Sequence, residues 1–509
     1  MKRLIATTVL ILLSTGALGA EWGRPEPRSR GGRSRDEKLL EIPVPGAPTI
    51  ALSVLLETGS ADDPADKPGL CSLTMRAAVE GGTPTLTKGE VAERLYPMAT
   101  SAEVFVDRET TIFTGRVRRE DIDAFYPIFW DLIFHPRFDT EDIERTRRVS
   151  LSSLRNDLKG SSTEWLGKEA LQASLFQGTP WEHPPLGTES GLQAIEQDDV
   201  RAFHRQGLVR GLVHVGIAGG YDTAFAERIR RDIAAIPGLQ RPPGRAPLRP
   251  SEAHGLDLLL IDAPVPATAI SIGFTHNVRR GHPDYWPLVL ATTAFGEHRT
   301  FLGRLQREMR STRGLNYGDY AYLEHFDQDG WVRFARPNLW RTIPYFSIWI
   351  RPVQPANGLF ALRQGLWELR HLIDEGLSRE EFETTRKHLR NVSQLWGQTL
   401  ARRLGMALDD AHSGMGDSVE ELEKALDAMS LEEVNGALRR NLTGRDVKAA
   451  LVCANADSLR RLLLSGARTT IVYSGGAAPA EVKAKDAQIE AMPLGIERIE
   501  VIPVGMIFR

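Results

Sequence analysis

An internal repeat constrains this chain more than any other feature. Asp139-Thr-Glu-Asp-Ile-Glu-Arg-Thr-Arg147 and Ser378-Arg-Glu-Glu-Phe-Glu-Thr-Thr-Arg386 agree in capping residue, acidic pair, apolar position and arginine, 239 residues apart. Asp199-Val200, followed by an apolar run from Val213, is mirrored by Glu433-Val434 and a run from Val447, 234 residues apart. Two matches at nearly one offset mean that one supersecondary plan is used twice. Each half reads in the same order: strand, helices, hairpin strands, a long capped helix and a final strand. The reading predicts an α+β fold of two similar domains, each a mostly antiparallel sheet packed with helices.

Local patterns place the pieces. Ile42 to Leu56 is apolar and partly β-branched, and Gly59 to Pro64 ends it as a loop. In Pro68-Gly-Leu-Cys-Ser-Leu-Thr-Met-Arg-Ala-Ala-Val-Glu-Gly-Gly-Thr83, Leu70, Leu73 and Ala77 recur at helical spacing and Gly81-Gly82 supplies a stop. Val91 to Leu95 suggests a second helix. Ala102 to Val106 and Thr110 to Val117 read as strands meeting across Asp107-Arg108-Glu109. Ile122 to Phe134 has helical apolar spacing, and Asp139 opens a long polar helix towards Leu158. Pro237 to Pro250 is crowded with proline, glycine and arginine, the strongest boundary signal in the chain. The expected organisation is an N-terminal domain over 39–236, a linker over 237–254, a C-terminal domain over 255–477 and a tail over 478–509.

Composition excludes some classes. A net charge of −3, with 25% charged and 42% hydrophobic residues, fits an ordinary globular chain and not a nucleic-acid binder. Lys2-Arg3, the apolar run Leu4 to Leu13 and the small residues Ala17-Leu-Gly-Ala20 read as a signal peptide over 1–20, ahead of a flexible leader over 21–38. The mature protein is therefore expected to be exported, to the periplasm, and soluble, with no membrane span. Cys71 and Cys453 are the only cysteines, and the reading favours a buried free thiol for each.

The helix over Pro68–Thr83 resembles the one on which pitrilysin/insulinase-like zinc metallopeptidases, the inverzincins, carry H-x-x-E-H. The family run is roughly Gly-Leu-Ala-His-Phe-Leu-Glu-His, then a short apolar segment and Gly-Thr. Laid on this chain, the two histidines fall at Ser72 and Arg76 and the glutamate base at Met75; the third ligand falls at Ser153. Two imidazoles one turn apart, a third ligand and a carboxylate base are what a catalytic zinc requires, and all four are absent together. The twelve histidines include no pair three or four residues apart, there is no Cys-x-x-Cys, and no Gly-x-Ser-x-Gly elbow is present. Glu297-His298 reads as a surface or capping pair, and His183 in Trp181-Glu-His-Pro-Pro-Leu-Gly187 as a packing residue.

A second stretch carries the resemblance further. In Phe301-Leu-Gly-Arg-Leu-Gln-Arg-Glu-Met-Arg-Ser-Thr-Arg-Gly-Leu-Asn-Tyr317, Leu302, Leu305 and Met309 read as a core-facing stripe and Gly314 as a stop. It is similar to the family's second-domain signature, and the match carries over onto Arg313 and Tyr317. In active members that pair is implied to hold the peptide backbone and the oxyanion, through a guanidinium fork and a hydroxyl donor. The resemblance covers about 42–464 and implies one half of a clam-shell peptidase. It further implies a non-catalytic subunit, inactive alone, whose zinc resides in a homologous partner subunit; this chain itself carries no cofactor and contributes Arg313 and Tyr317 to peptide hydrolysis in the heterodimer. The alternative is a structural or peptide-binding assembly subunit with no part in proteolysis.

Overall fold

The computed structural model describes residues 39–238, 248–473, 475 and 478–509. The signal peptide and leader read from the sequence lie outside these residues, as does half of the linker stretch, residues 239–247. Among the described residues no helix is long and apolar enough to cross a membrane.

The first half runs β1 (Leu39–Pro43), β2 (Thr49–Leu56), α1 (Leu70–Val79), α2 (Lys88–Leu95), β3 (Ala102–Val106), β4 (Thr111–Arg118), α3 (Ile122–Phe134), α4 (Thr140–Ser152), α5 (Thr163–Leu175), α6 (Glu189–Ala194), α7 (Gln197–Gly207), β5 (Val213–Gly219) and α8 (Thr223–Ala235). The second runs β6 (Leu256–Asp262), β7 (Thr268–Thr275), α9 (Tyr285–Gly296), β8 (Asp319–Tyr322), β9 (Tyr345–Val353), α10 (Gly358–Glu375), α11 (Arg379–Ser393), α12 (Leu400–Ser413), α13 (Ser418–Ala428), α14 (Leu431–Asn441), β10 (Val447–Cys453) and α15 (Ala456–Leu464). Two further elements follow, α16 (Ala480–Ala491) and β11 (Ile496–Pro503).

The repeat is topological as well as sequential. The first sheet has the order β1-β5-β2-β4-β3 and the second β11-β6-β10-β7-β9-β8, so the two match strand for strand once β11 is set aside. In each, the first and last strands of the half pair in parallel while the inner strands and hairpin pair antiparallel. The sequence matches fall at equivalent places. Asp199 and Glu433 are the N3 residues of two capping boxes, with Glu196 and Ser430 as their caps. Asp139 and Ser378 are the N-caps of α4 and α11, but only Ser378 uses its side chain on the helix, because Arg137 holds the Asp139 carboxylate at 3.0 Å.

Each sheet is covered on one face by helices of its own half and on the other by a helix from the opposite half. Leu404 and Leu408 of α12 sit in one apolar cluster with Ala51, Leu55 and Ala218 of the first sheet. Reciprocally, α5 lies across β7 and β10, with Gly167 3.2 Å (from its would-be Cβ) from Ser271 Oγ. This exchange joins the halves. The β3–β4 turn adds a polar lock: Arg341 pairs with Asp107, Thr342 N donates to Glu109 Oε2 at 2.6 Å, and Arg108 Nη2 donates to Glu169 Oε2 at 2.8 Å. Burial opposes the charge on Asp107, yet Arg341 and His325 hold its carboxyl below the usual range.

Two expectations need correction. The segment 478–509, set apart as a tail, is part of the second half: β11 pairs in parallel with β6, and the chain end returns to the first half through Glu189 N donating to Phe508 O at 3.2 Å. Leu302 is not a core residue. The helical turn begins only at Arg304 and continues as a π-helical stretch over Gln306–Ser311, so Leu305 and Met309 are buried while Leu302 is 74% exposed.

Candidate functional site

The start of α1 is fixed before any chemistry is considered. Asp63 accepts the amides of Gly69 and Cys71, each at 2.7 Å, and satisfies donors that a helix N-terminus leaves open. Burial pushes the Asp63 carboxyl up to about 8, against the pull of those two amides. The loop Trp181–Gly187 closes over this point. A Cβ on Gly187 would lie 2.2 Å from Pro68 O, so only glycine allows the approach. His183 belongs to that loop: its Nδ1 is 2.9 Å from Pro184 O, Arg108 donates to its carbonyl, and burial lowers its pKa to about 4.

On α1, Ser72 and Met75 are buried and Arg76 is half-buried. The Arg76 guanidinium lies 3.3 Å from Glu80 Oε1 and donates to Ser150 Oγ on α4 at 3.4 Å. Ser153, one turn beyond Ser150, opens a π-helical stretch over Ser153–Ser161. A hydroxyl, a thioether, a guanidinium and a second hydroxyl do not fit zinc; the guanidinium repels it and the others are poor donors. Among the described residues no group of three or more His, Cys, Asp or Glu side chains stands where it could hold a metal. Cys71 and Cys453 are both buried, and neither is in a disulfide.

Arg313 and Tyr317 lie at opposite extremes of exposure. Gly314, at φ +63°, ends the helical stretch through Gly314 N to Arg310 O at 2.8 Å. Arg313 then turns inward, and its side chain is wholly buried. Its Nε donates to Asp486 Oδ1 at 2.8 Å, and its Nη1 to Glu308 O at 2.7 Å and Glu308 Oε2 at 3.2 Å. Lys485 also reaches Glu308, at 2.9 Å, and Tyr473 bonds Asp486. A guanidinium so held does not reach a peptide. This corrects the direct substrate contact that the resemblance implied for Arg313, and the reason is Asp486, which comes from α16 in the supposed tail.

Tyr317 is 67% exposed. Arg310 lies 4.5 Å and Arg351 5.6 Å from its ring centroid, and Arg310 also faces the exposed ring of Phe301 at 5.2 Å. Arg351 is anchored across the halves by Glu164 of α5, at 2.9 Å. Alongside runs an aromatic cluster of Tyr320, Tyr322, Trp349 and Phe326. His298 joins it, with Nδ1 2.6 Å from the Tyr322 hydroxyl and Nε2 2.9 Å from Gln328 Oε1, and burial lowers its pKa to about 4. It is therefore not the surface or capping residue expected. Its sequence neighbour Glu297 pairs instead with His388 of α11, at 2.8 Å. Lys168 Nζ sits 3.4 Å from the Trp349 ring centroid, and burial brings its pKa down to about 8. Burial likewise pushes Asp319 up to about 7. Sequence reading missed Lys168, Tyr320 and Trp349. The period-two spacing of Tyr320 and Tyr322 on β8, and of Trp349 and Arg351 on β9, was the available signal.

The arrangement around Tyr317 presents aromatic rings, hydroxyls and guanidinium groups, and the α1–α4 position presents the side chains of Ser72, Met75, Arg76 and Ser153. Residues 42–189 match the family described as Insulinase (Peptidase family M16), and residues 194–389 match the Peptidase M16 inactive domain. The chain is 20% identical over 415 residues to the uncharacterized zinc protease YmxG of Bacillus subtilis, covering 81% of this chain and 95% of that one. It is 22% identical over 390 residues to the non-peptidase homolog YmxG of Helicobacter pylori, covering 75% and 84%. The mitochondrial-processing peptidase subunit beta of Dictyostelium discoideum is 20% identical over 249 residues, 48% of this chain and 52% of that one. Among solved structures, a peptidase M16 inactive domain from Pseudomonas fluorescens superposes with a TM-score of 0.70 at 18% identity, over 82% of this chain and 95% of that one. A chain of Complex III2 from Candida albicans gives 0.62 at 14% identity, over 89% and 97%.

Proposed function

Since the chain belongs to peptidase family M16, the insulinase-like family, we propose that it is a non-catalytic subunit that pairs with a zinc-bearing homologue and helps it bind peptides for hydrolysis. One observation carries the reading. Helix α1 is fixed by Asp63 at its start and by the loop that ends at Gly187, and it carries Ser72, Met75 and Arg76 where the resemblance lays two zinc ligands and the base, with Ser153 at the third ligand. The name of the Helicobacter relative, a non-peptidase homolog, and the subunit named among the relatives support it. Tyr317, flanked by Arg310 and Arg351, is the substrate contact in this reading; Arg313 is a positioning residue that fixes the turn carrying Tyr317. The signal-like start of the chain supports export, with both subunits acting outside the cytoplasm.

The test is a pull-down of the full chain from its native host, with metal analysis of what is recovered. The expected result is a complex holding about one zinc per pair by the logic of a single catalytic site, and no zinc or peptidase activity in this chain alone. In the active pair, Tyr317→Phe lowers turnover without separating the subunits. Recovery of a peptidase pair whose turnover is indifferent to Tyr317→Phe favours the second reading, a structural assembly subunit. That reading rests on Arg313 being locked inward and on the likeness of fold to a chain of Complex III2 from Candida albicans. Stoichiometric zinc on this chain by itself overturns both.

A further inference from the structure

A further cavity borders the start of α1, with Asp63, Pro68 and His183 in its lining. It measures about 660 Å3 and sits between the C-terminal end of α5 with the loop after it, the strands β6, β10 and β11, and the chain end at 506–509. That volume is within the range of small-molecule sites. Much of the lining is apolar, including Pro64, Leu259, Ile502 and Ile507. One lining residue is out of place. Lys448 stands inside β10, a strand otherwise made of Val, Ala, Leu and Cys and buried throughout, and is itself only 2% exposed.

The ammonium of Lys448 donates to Ser174 O and to Ser251 Oγ, both at 2.8 Å, and both acceptors are neutral. Among the described residues no carboxylate lies within ion-pair distance of it. The acids lining the cavity are engaged elsewhere or stand off: Glu182 accepts Gly178 N at 2.8 Å, Glu500 pairs with Arg498 at 2.7 Å, and Asp63 accepts two amides. Asp257, its partner in the β6–β10 register, acts on Lys448 only through space. A buried cation without a counter-charge is costly, and burial accordingly lowers its pKa. With two of three donors taken, one remains for a singly charged acceptor.

We propose that this cavity is a binding site for a monocarboxylate with an apolar body, the head group pairing with Lys448 and the body lying along the apolar lining. The shared chemistry admits a free alkanoic acid or the carboxyl end of an apolar peptide. Titration calorimetry on the full chain at pH 7, with dodecanoate against dodecanol and N-acetyl-trileucine against its amide, separates these sources. The expected result is saturable binding of one acid, at least tenfold tighter than its uncharged counterpart. Lys448→Met, which keeps the stem, abolishes that preference, and Lys448→Arg retains it. Absence of saturable binding of either acid to the wild-type chain overturns the proposal, as does equal binding of acid and uncharged counterpart. These wild-type outcomes decide even where Lys448→Met fails to fold; a folded Lys448→Met that keeps the tenfold preference also overturns it.

Discussion

Arg76 and Arg313 occupy corresponding kinds of place in the two halves, one on the helix that frames the absent metal position and one on the turn that frames Tyr317. Their environments differ sharply. Arg76 is half-buried, with one long contact to Glu80 a turn away and one to Ser150. Arg313 has no exposed side-chain surface and joins three elements through Asp486 and Glu308. The Arg76 charge is left near the surface, where solvent screens it. The charge beside the Tyr317 turn is taken inside, where the carboxylates of Asp486 and Glu308 offset the cost of burial although Nη2 is left without a partner. Of the residues the resemblance singled out, Tyr317 is the exposed one, with Arg310 and Arg351 beside its ring.

Substitution of the two arginines breaks or sharpens this contrast most directly. Arg313→Ala strands Asp486 and Glu308 and is expected to cost about 3–5 kcal/mol in urea unfolding; Arg76→Ala is expected to cost about 0.5 kcal/mol. Equal losses would show that burial does not separate the two. A pH titration gives the next largest effect. His204, in the first half, bonds Ile133 O at 2.8 Å, and burial lowers its pKa to about 4. Between pH 4 and the ordinary histidine value near 6.5 the unfolded chain binds the extra proton, so stability rises with pH through that window and the contribution is complete above it. His204→Gln is expected to flatten that slope by about 1.4 kcal/mol per pH unit. Asp63 and Asp319, raised to about 8 and about 7, act in the opposite sense, so the variant is read as a difference from wild type and not as an absolute slope.

Smaller effects compare equivalent caps. Ser430→Ala removes the hydroxyl that accepts Glu433 N at 3.2 Å and is expected to destabilise by about 1 kcal/mol in thermal or urea unfolding. Glu196→Ala, at the matching position of α7, is expected to cost less, because a glutamate is the poorer cap. Tyr317→Phe closes the series. Removing one exposed hydroxyl is expected to change stability by under about 0.5 kcal/mol, so any loss of turnover in a subunit pair reports on peptide contact alone.

Much of the fold was legible because it is written locally and twice. The capping residues near Asp199 and Glu433, the apolar runs at Val213 and Val447, and the glycine stop after α1 each state their element without reference to anything distant. The candidate site was legible only in part. Ser72, Met75 and Arg76 could be placed on α1 by spacing, but the inward turn of Arg313 could not be foreseen. Its partner Asp486 is 173 residues away, on a helix whose apolar and polar residues show no clean face. His298 was misjudged for the same reason, since Tyr322 and Gln328 come to it through the return of β8 and the loop beyond.

By itself the sequence determined that there are two α+β units of one plan and that Ser72, Met75, Arg76 and Ser153 carry no zinc-binding side chain, because periodicity, caps and side-chain chemistry are properties of short segments. Only the tertiary structure decided which charges face outward. It placed Arg313 inside and Tyr317 outside, moved the last thirty or so residues from tail to sheet edge and helix, crossed α5 and α12 between the halves, and left Lys448 buried beside a cavity. The physical reason is that burial is set by neighbours distant in sequence, and a charge takes its meaning from the acceptors that surround it.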